Sequence, residues 1–278
     1  MRYKTDTLTE YLCMAPFALA IERSIEGNIF KKIKLEKPIL DLGCGEGLFA
    51  HIVFDEKINT GIDPNSRELI RAKELGGYQE LIHCYGDSIP RPDSSYMTVI
   101  SNSVLEHIPD LSPVFREIFR ILHPGGYLIF TVPTQLFEQF SAVSRILRSF
   151  GFISLALRYE RSYNKFWNQT NCFPPDLWKK TIESHGFEVE EIFTYDPKDI
   201  CTLNDLLIPF SVFSYINKKI SNRWILFPSL RKIWVSWLTP SISKMLIGSD
   251  RSPEGGLVFI SARKKVPVEN INYSSNLQ

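Results

Sequence analysis

No run of about 18 uninterrupted apolar residues occurs in this chain, so no bilayer-spanning helix is expected. The N-terminus, MRYKTDTLTEYL, lacks the apolar stretch of a secretory signal. Net charge is nearly absent, at a formal +1, which argues against a general nucleic-acid binder with its basic excess. Cysteine is sparse: Cys13, Cys44, Cys84, Cys172 and Cys201 are odd in number, widely spaced and contain no CxxC pair. That pattern predicts neither a disulfide framework nor a metal centre, and it fits a reducing cytoplasm. Repeats and low-complexity segments are also missing.

What is present is an alternation. A helical N-terminal region, 1–37, carries Leu12, Phe17, Ala20, Ile21 and Ile25 as its apolar positions, with Pro16 starting or kinking a helix. Short apolar runs at 39–42, 59–62, 80–84, 97–101 and 127–132 read as strands, separated by helical patterns from 47, at 66–75 and at 113–122. Such alternation predicts an α/β fold, a doubly wound, mainly parallel sheet with helices on both faces. In the helix at 113, Ser112 is the expected cap and Pro113 the first turn. A helix at 175–184, a strand at 187–195 and a last strand at 256–264 follow. Between them lie two insertions without clear periodicity, 134–173 and 197–255. All this fits one domain of 278 residues, with 38–133 and 174–196 as core and 265–278 as a frayed tail.

The stretch PILDLGCGEGLFA, 38–50, is a strand, a turn and a helix start, with Gly43, Gly45 and Gly47 at alternate positions. Glycines there permit positive φ and let a ligand approach the backbone without meeting a Cβ. The spacing G-x-G-x-G departs from the dinucleotide fingerprint G-x-G-x-x-G, and the lysine of a phosphate-binding loop is missing. The second strand ends TGID, which puts Asp63 beside the turn as an acceptor for ribose hydroxyls. The third is followed by YGDS, which puts Asp87 where it can accept from an adenine amine. Together these predict a nucleoside pocket at the strand ends. The plainer reading of both aspartates is as helix or turn caps.

ILDLGCGEG, GIDPN, GDSIP, YMTVISNSVLEHIPD and FREIFRILHPGGYLIFTVP, between 38 and 132, together resemble the class I S-adenosylmethionine-dependent methyltransferases of the type 11 subgroup. The resemblance covers about a third of the chain. It implies a Rossmann-like seven-stranded sheet and S-adenosylmethionine as cofactor. Asp41, Gly43, Cys44, Gly45 and Gly47 would line its methionyl end, Asp63 with Pro64 the ribose, Asp87 with Ser88 the adenine, and Asn102 with Ser103 the region of the sulfonium. Cys44 reads as a small filler, not a nucleophile.

His107, in LEHIPD, is the histidine that the motif sets near the transfer site, and an imidazole suits deprotonation of a hydroxyl. The alternative is a histidine that caps the next turn or packs under the cofactor; Glu106 beside it reads as a loop holder. The base-methylating signatures NPPY and PCQ are missing after the fourth strand, which favours an O or N nucleophile of a small-molecule, sugar or lipid-type acceptor over DNA. A non-catalytic S-adenosylmethionine-binding module and a nicotinamide-dependent oxidoreductase stand as alternatives. Topology directs both insertions to the strand ends as a lid. Their aromatic and basic residues, with Trp224, Phe227, Trp234, Trp237, Lys218, Lys219, Arg223 and Arg231 in the second, read either as packed lid core or as a surface for an amphiphilic, anionic acceptor. A peripheral contact of 199–247 with the inner face of a membrane is the corresponding partner expectation.

Overall fold

Apolar side chains at helical spacing build two short helices before the sheet, α1 (Thr7–Met14) and α2 (Phe17–Phe30), in the computed structural model, which describes residues 1–266. Pro16 separates them in an extended conformation, φ −57° and ψ 152°, as expected for a residue that suits a helix entrance. The alternating pattern then becomes β1 (Ile39–Leu42), α3 (Leu48–Val53), β2 (Ile58–Asp63), α4 (Ser66–Leu75), β3 (Tyr78–His83), β4 (Tyr96–Asn102), α5 (Leu111–Ile121) and β5 (Leu122–Pro133). After α6 (Ala142–Ser149), α7 (Ile153–Phe166) and α8 (Pro175–Glu183) come β6 (Phe187–Pro197), α9 (Lys198–Leu207), α10 (Val212–Ser221), α11 (Pro228–Met245) and β7 (Gly255–Lys264).

The seven strands form one sheet in the order β3-β2-β1-β4-β5-β7-β6, with β7 antiparallel to both neighbours. Parallel registers set Asp41 opposite Gly61 on one side and Ile100 on the other, so β1, β2 and β4 end together. Their C-terminal edge is where a doubly wound sheet leaves a crevice. Both faces are covered. Leu12, Ile21, Ile25 and Phe30 from α1 and α2, with Ala50 and Ile52 from α3, pack on one. Phe115 and Ile118 from α5, Trp178 and Ile182 from α8 pack on the other.

Two local expectations change. The cap of α5 is Asp110, not Ser112: its carboxylate accepts the Ser112 N–H at 3.0 Å. The apolar face already begins at Leu111, and Pro113 fits within the first turn because N–H groups there have no intrahelical partner. The insertions, expected to lack clear periodicity, are largely helical. Gly151, Pro209, Asn222 and Pro228 cut them into short helices whose apolar residues face partly outward, which hides the usual core-facing pattern. They are joined to each other: the Ala142 N–H meets the Asp205 carboxylate at 2.9 Å and Arg145 reaches the Thr202 hydroxyl at 2.7 Å. Of the predicted tail, residues from 267 lie outside the described residues.

Candidate cofactor site

The glycine turn is folded back on the sheet by the Gly43 and Cys44 N–H groups, which both reach the Ile62 carbonyl at 2.9 Å. Gly43 has φ +76°, and a Cβ there would come within 2.5 Å of the Val104 side chain. Gly45 has φ +52°, yet a Cβ on it would meet nothing within 4 Å. Its missing side chain therefore opens onto free space, a cavity of about 200 Å³ whose walls include Tyr11, Leu19, Arg23, Asp41, Glu46, Phe49, Asn102 and Trp224.

Each strand end contributes differently. Asp41 is buried and accepts the Tyr78 hydroxyl at 2.6 Å; burial pushes its carboxyl up to about 7. Asp63 accepts the Gly45 N–H at 2.9 Å through one oxygen and the Asn65 N–H at 2.8 Å through the other. Burial raises its pKa while those two bonds lower it. A carboxylate oxygen carries a second lone pair, so both retain capacity for a hydroxyl. Asn102 takes Arg23 at 2.7 Å and the Thr131 hydroxyl at 2.6 Å on its carbonyl, leaving its buried amide nitrogen without a partner. The Tyr11 hydroxyl is likewise buried and unpartnered. Both residues line the cavity, so it holds unused polar groups that a ligand can satisfy.

The structure brings Asp41, Gly43, Cys44, Gly45, Gly47 and Asn102 to the cavity wall. Asp63 stands behind Gly45, and Ser103 lies one residue on, taking Arg23 at 2.7 Å. Pro64 offers its carbonyl to His83 at 2.8 Å. Asp87 and Ser88 are exposed in the loop after β3, outside the cavity. Burial pushes the Cys44 thiol up, as suits a filler rather than a nucleophile. His107 is off the wall: its Nδ1 meets the Asn168 carbonyl of the first insertion at 3.0 Å, and its Nε2 stands 3.7 Å from Glu106. Glu106 is itself buried, one oxygen has no partner, and burial pushes its carboxyl up to about 8.

Sequence reading missed Tyr11 and Arg23, and did not join Glu46 of the turn to Trp224 of the second insertion. Arg23 bonds Glu26 at 2.6 Å besides Asn102 and Ser103; burial alone would lower its pKa, but Glu26 and Glu22 beside it hold it above the usual range. A faint signal existed in the ER pair set among the apolar positions of α2. Trp224 donates its indole N–H to Glu46, and Lys218 bridges Glu46 and Glu68 at 2.8 Å each. Both residues, which the sequence left open between lid core and acceptor surface, are turned in over the turn. Arg223 is likewise paired, with Glu74 at 3.4 Å, and Arg231 stacks on Phe17 and Trp234. A tryptophan finds a partner for its N–H where it is half-buried, which sequence alone does not locate.

The methyltransferase domain family matches residues 40–130, the stretch from β1 to β5 that builds this turn and these strand ends. Residues 40–130 are a methyltransferase domain. A sterol 24-C-methyltransferase of Aspergillus fumigatus is 34% identical over 102 residues, covering 34% of this chain and 27% of the relative. A demethylmenaquinone methyltransferase of Listeria welshimeri is 33% identical over 122 residues, 40% of this chain and 51% of the relative. The matched stretch thus spans no more than about half of either relative. A solved S-adenosylmethionine-dependent methyltransferase from Thermotoga maritima shares the fold over 89% of this chain and 91% of its own, with a TM-score of 0.54 at 18% identity.

The residues that line this cavity are of the kind that S-adenosylmethionine would need. The open side of Gly45, the unpartnered donors of Asn102 and Tyr11 and the Arg23 guanidinium suit an amino-acid moiety; Asp63 at the end of β2 suits ribose hydroxyls. Among the described residues no cluster of three or more His, Cys, Asp or Glu is arranged to hold a metal ion, and no helix is long and apolar enough to cross a membrane.

Proposed function

We propose that this protein transfers the methyl group of S-adenosylmethionine to an O or N nucleophile of a lipid-type or other small-molecule acceptor. The observation that supports it best is the cavity walled by the glycine turn, Arg23 and Asn102 and roofed by Trp224. Bound there, the cofactor supplies an electrophilic methyl on a sulfonium. The chain's part is to bind, align and exclude water, which supplies most of what an in-line displacement needs. Asp63 would hold the ribose and Asn102, Arg23 and Tyr11 the methionyl end, while Asp87 and Ser88, exposed in the loop after β3, would meet the adenine edge where it leaves the cavity.

His107 is the candidate base. The Asn168 carbonyl only accepts, so in the neutral ring Nδ1 carries the proton and Nε2 the free lone pair. Nε2 is the atom that would take a proton from the acceptor. A lipid-type acceptor is favoured by the apolar, basic insertions and by the matched relatives, which by name act on a sterol and on demethylmenaquinone. The sterol relative by name methylates carbon, so the O or N nucleophile rests on His107 alone.

The test is transfer of a labelled methyl group from S-adenosylmethionine to cell extract, followed by separation of organic and aqueous phases. Label in the organic phase, lost in Asp63→Ala, is expected. Label only in water-soluble products would reject the lipid-type acceptor, and tight cofactor binding with no transfer at all would leave a binding module.

A further inference from the structure

Large apolar side chains on a folded surface are ordinarily scattered. Here they are not. Among the described residues, all exposed ones except Ile70, Tyr85, Leu177 and Val266 fall within the two insertions. They also form helical stripes. On α11 the outward residues are Leu230, Ile233, Trp234, Trp237, Leu238 and Met245, whereas Val235 faces inward and is fully buried. On α10 Phe213, Ile216 and Ile220 recur at the same spacing, as do Val143 and Ile146 on α6 with Phe150 at its C-cap. Phe213, Ile220 and Trp237 are 79–84% exposed, more than any packed lid core would leave.

Charge is concentrated on the same helices. Residues 134–173 hold five Lys and Arg against two acidic residues, and 198–247 hold seven against two, a net of +8 in a chain whose total is +1. Several are committed: Arg145 to Asp199, Arg148 to Glu160, Lys218 to Glu46 and Glu68, Arg223 to Glu74 and Lys232 to Glu10. Arg158, Arg161 and Lys165 on α7, Lys198 on α9, Lys219 on α10 and Lys244 on α11 make no ion pair with any described residue. A groove of about 640 Å³ between α6 and α9 joins the two insertions, with Ile146 and Leu206 beside Arg145, Arg148 and Lys198.

We infer that the helices of the two insertions form a docking surface for an anionic lipid bilayer. Helices that pair an outward apolar stripe with uncompensated Lys and Arg lie in the headgroup region, apolar side chains immersed and cations on lipid phosphates. A second copy of the chain is the poorer occupant, because it would bring together two like-charged surfaces whose Arg158, Arg161, Lys165, Lys198, Lys219 and Lys244 are unpaired among the described residues. Docking carries Lys218 on α10 and Trp224, between α10 and α11, toward the bilayer. The inference goes beyond the proposed reaction and does not need it.

The test is sedimentation of the full chain with phosphatidylcholine vesicles, with and without about a third phosphatidylglycerol. Binding about tenfold stronger to the anionic vesicles, weakened by salt, is expected. It should drop about tenfold in Phe213→Ser/Trp237→Ser and in Arg158→Gln/Arg161→Gln/Lys165→Gln/Lys244→Gln, with Leu177→Ser unchanged. These side chains are exposed, so each variant should keep the wild-type melting temperature. Equal binding to both vesicle types, unaltered binding by the stripe variant, or a stable dimer that ignores vesicles and is split by Phe213→Ser/Trp237→Ser would each overturn it. Sedimentation reads no methyl transfer, so this outcome and that of the transfer assay are independent.

Discussion

Trp224 donates its indole N–H to the Glu46 carboxylate, tying the loop between α10 and α11 to the glycine turn. Burial raises the Glu46 pKa while Lys218, at 2.8 Å, lowers it. Lys218 on Glu46 and Glu68 and Arg223 on Glu74 hold the same segment, and the Trp224 hydrogen bond to a carboxylate adds about 1.5–3 kcal/mol to closure. Trp224→Phe keeps the ring and removes the donor. Cofactor dissociation should then be about tenfold faster or more, with the melting temperature of the free protein little changed; stopped-flow displacement measures it. An unchanged dissociation rate would mean that the lid does not retain the cofactor.

Asp63 is asked to do two things, hold the Gly45 and Asn65 N–H groups and accept the ribose hydroxyls. Asp63→Ala should weaken cofactor affinity by about 1–3 kcal/mol in calorimetry. Because the turn itself depends on this carboxylate, the variant should also melt at a lower temperature. Wild-type affinity would remove Asp63 from the site.

For His107, the two readings separate in kinetics. As a base, His107→Ala should lower kcat by about a hundredfold with cofactor affinity intact, and should abolish the acid limb of the pH profile. As the partner of Asn168, it should instead leave the pH profile unaltered and loosen the first insertion, read as faster amide exchange around Asn168.

Stability should fall as pH rises from about 4 to about 8. Burial pushes the carboxyls of Glu106 and Asp41 up to about 8 and about 7, whereas in the unfolded chain they titrate near 4. Between those values the folded state holds protons that the unfolded state has lost, so stability is full below about pH 4 from these groups and declines up to about pH 8. Glu106→Gln keeps a neutral group in place. Its melting temperature should drop less than wild type between pH 6 and pH 9 in thermal denaturation, and an identical decline would assign the effect elsewhere.

Much of the site was legible because its parts are local. Strand, glycine turn and helix follow one another within 38–53, and the turn's backbone demands at Gly43 and Gly45 are met by residue type alone. The alternation of short apolar runs and helical patterns likewise determined a doubly wound sheet, and strand ends put Asp41, Asp63 and Asn102 on one edge. What lay beyond local pattern was decided by the tertiary structure. Arg23 meets Asn102 across 79 positions and Trp224 meets Glu46 across 178, contacts that exist only because α2 and the second insertion return to the same edge. The roles of the aromatic and basic residues in the insertions were undecidable from composition, since a tryptophan beside a lysine reads alike in a core and on a surface. Folding separated them: Trp224 and Lys218 turned inward onto carboxylates, and Trp237 and Lys244 were left facing out, because a helix packed on one side can bury only one of its faces.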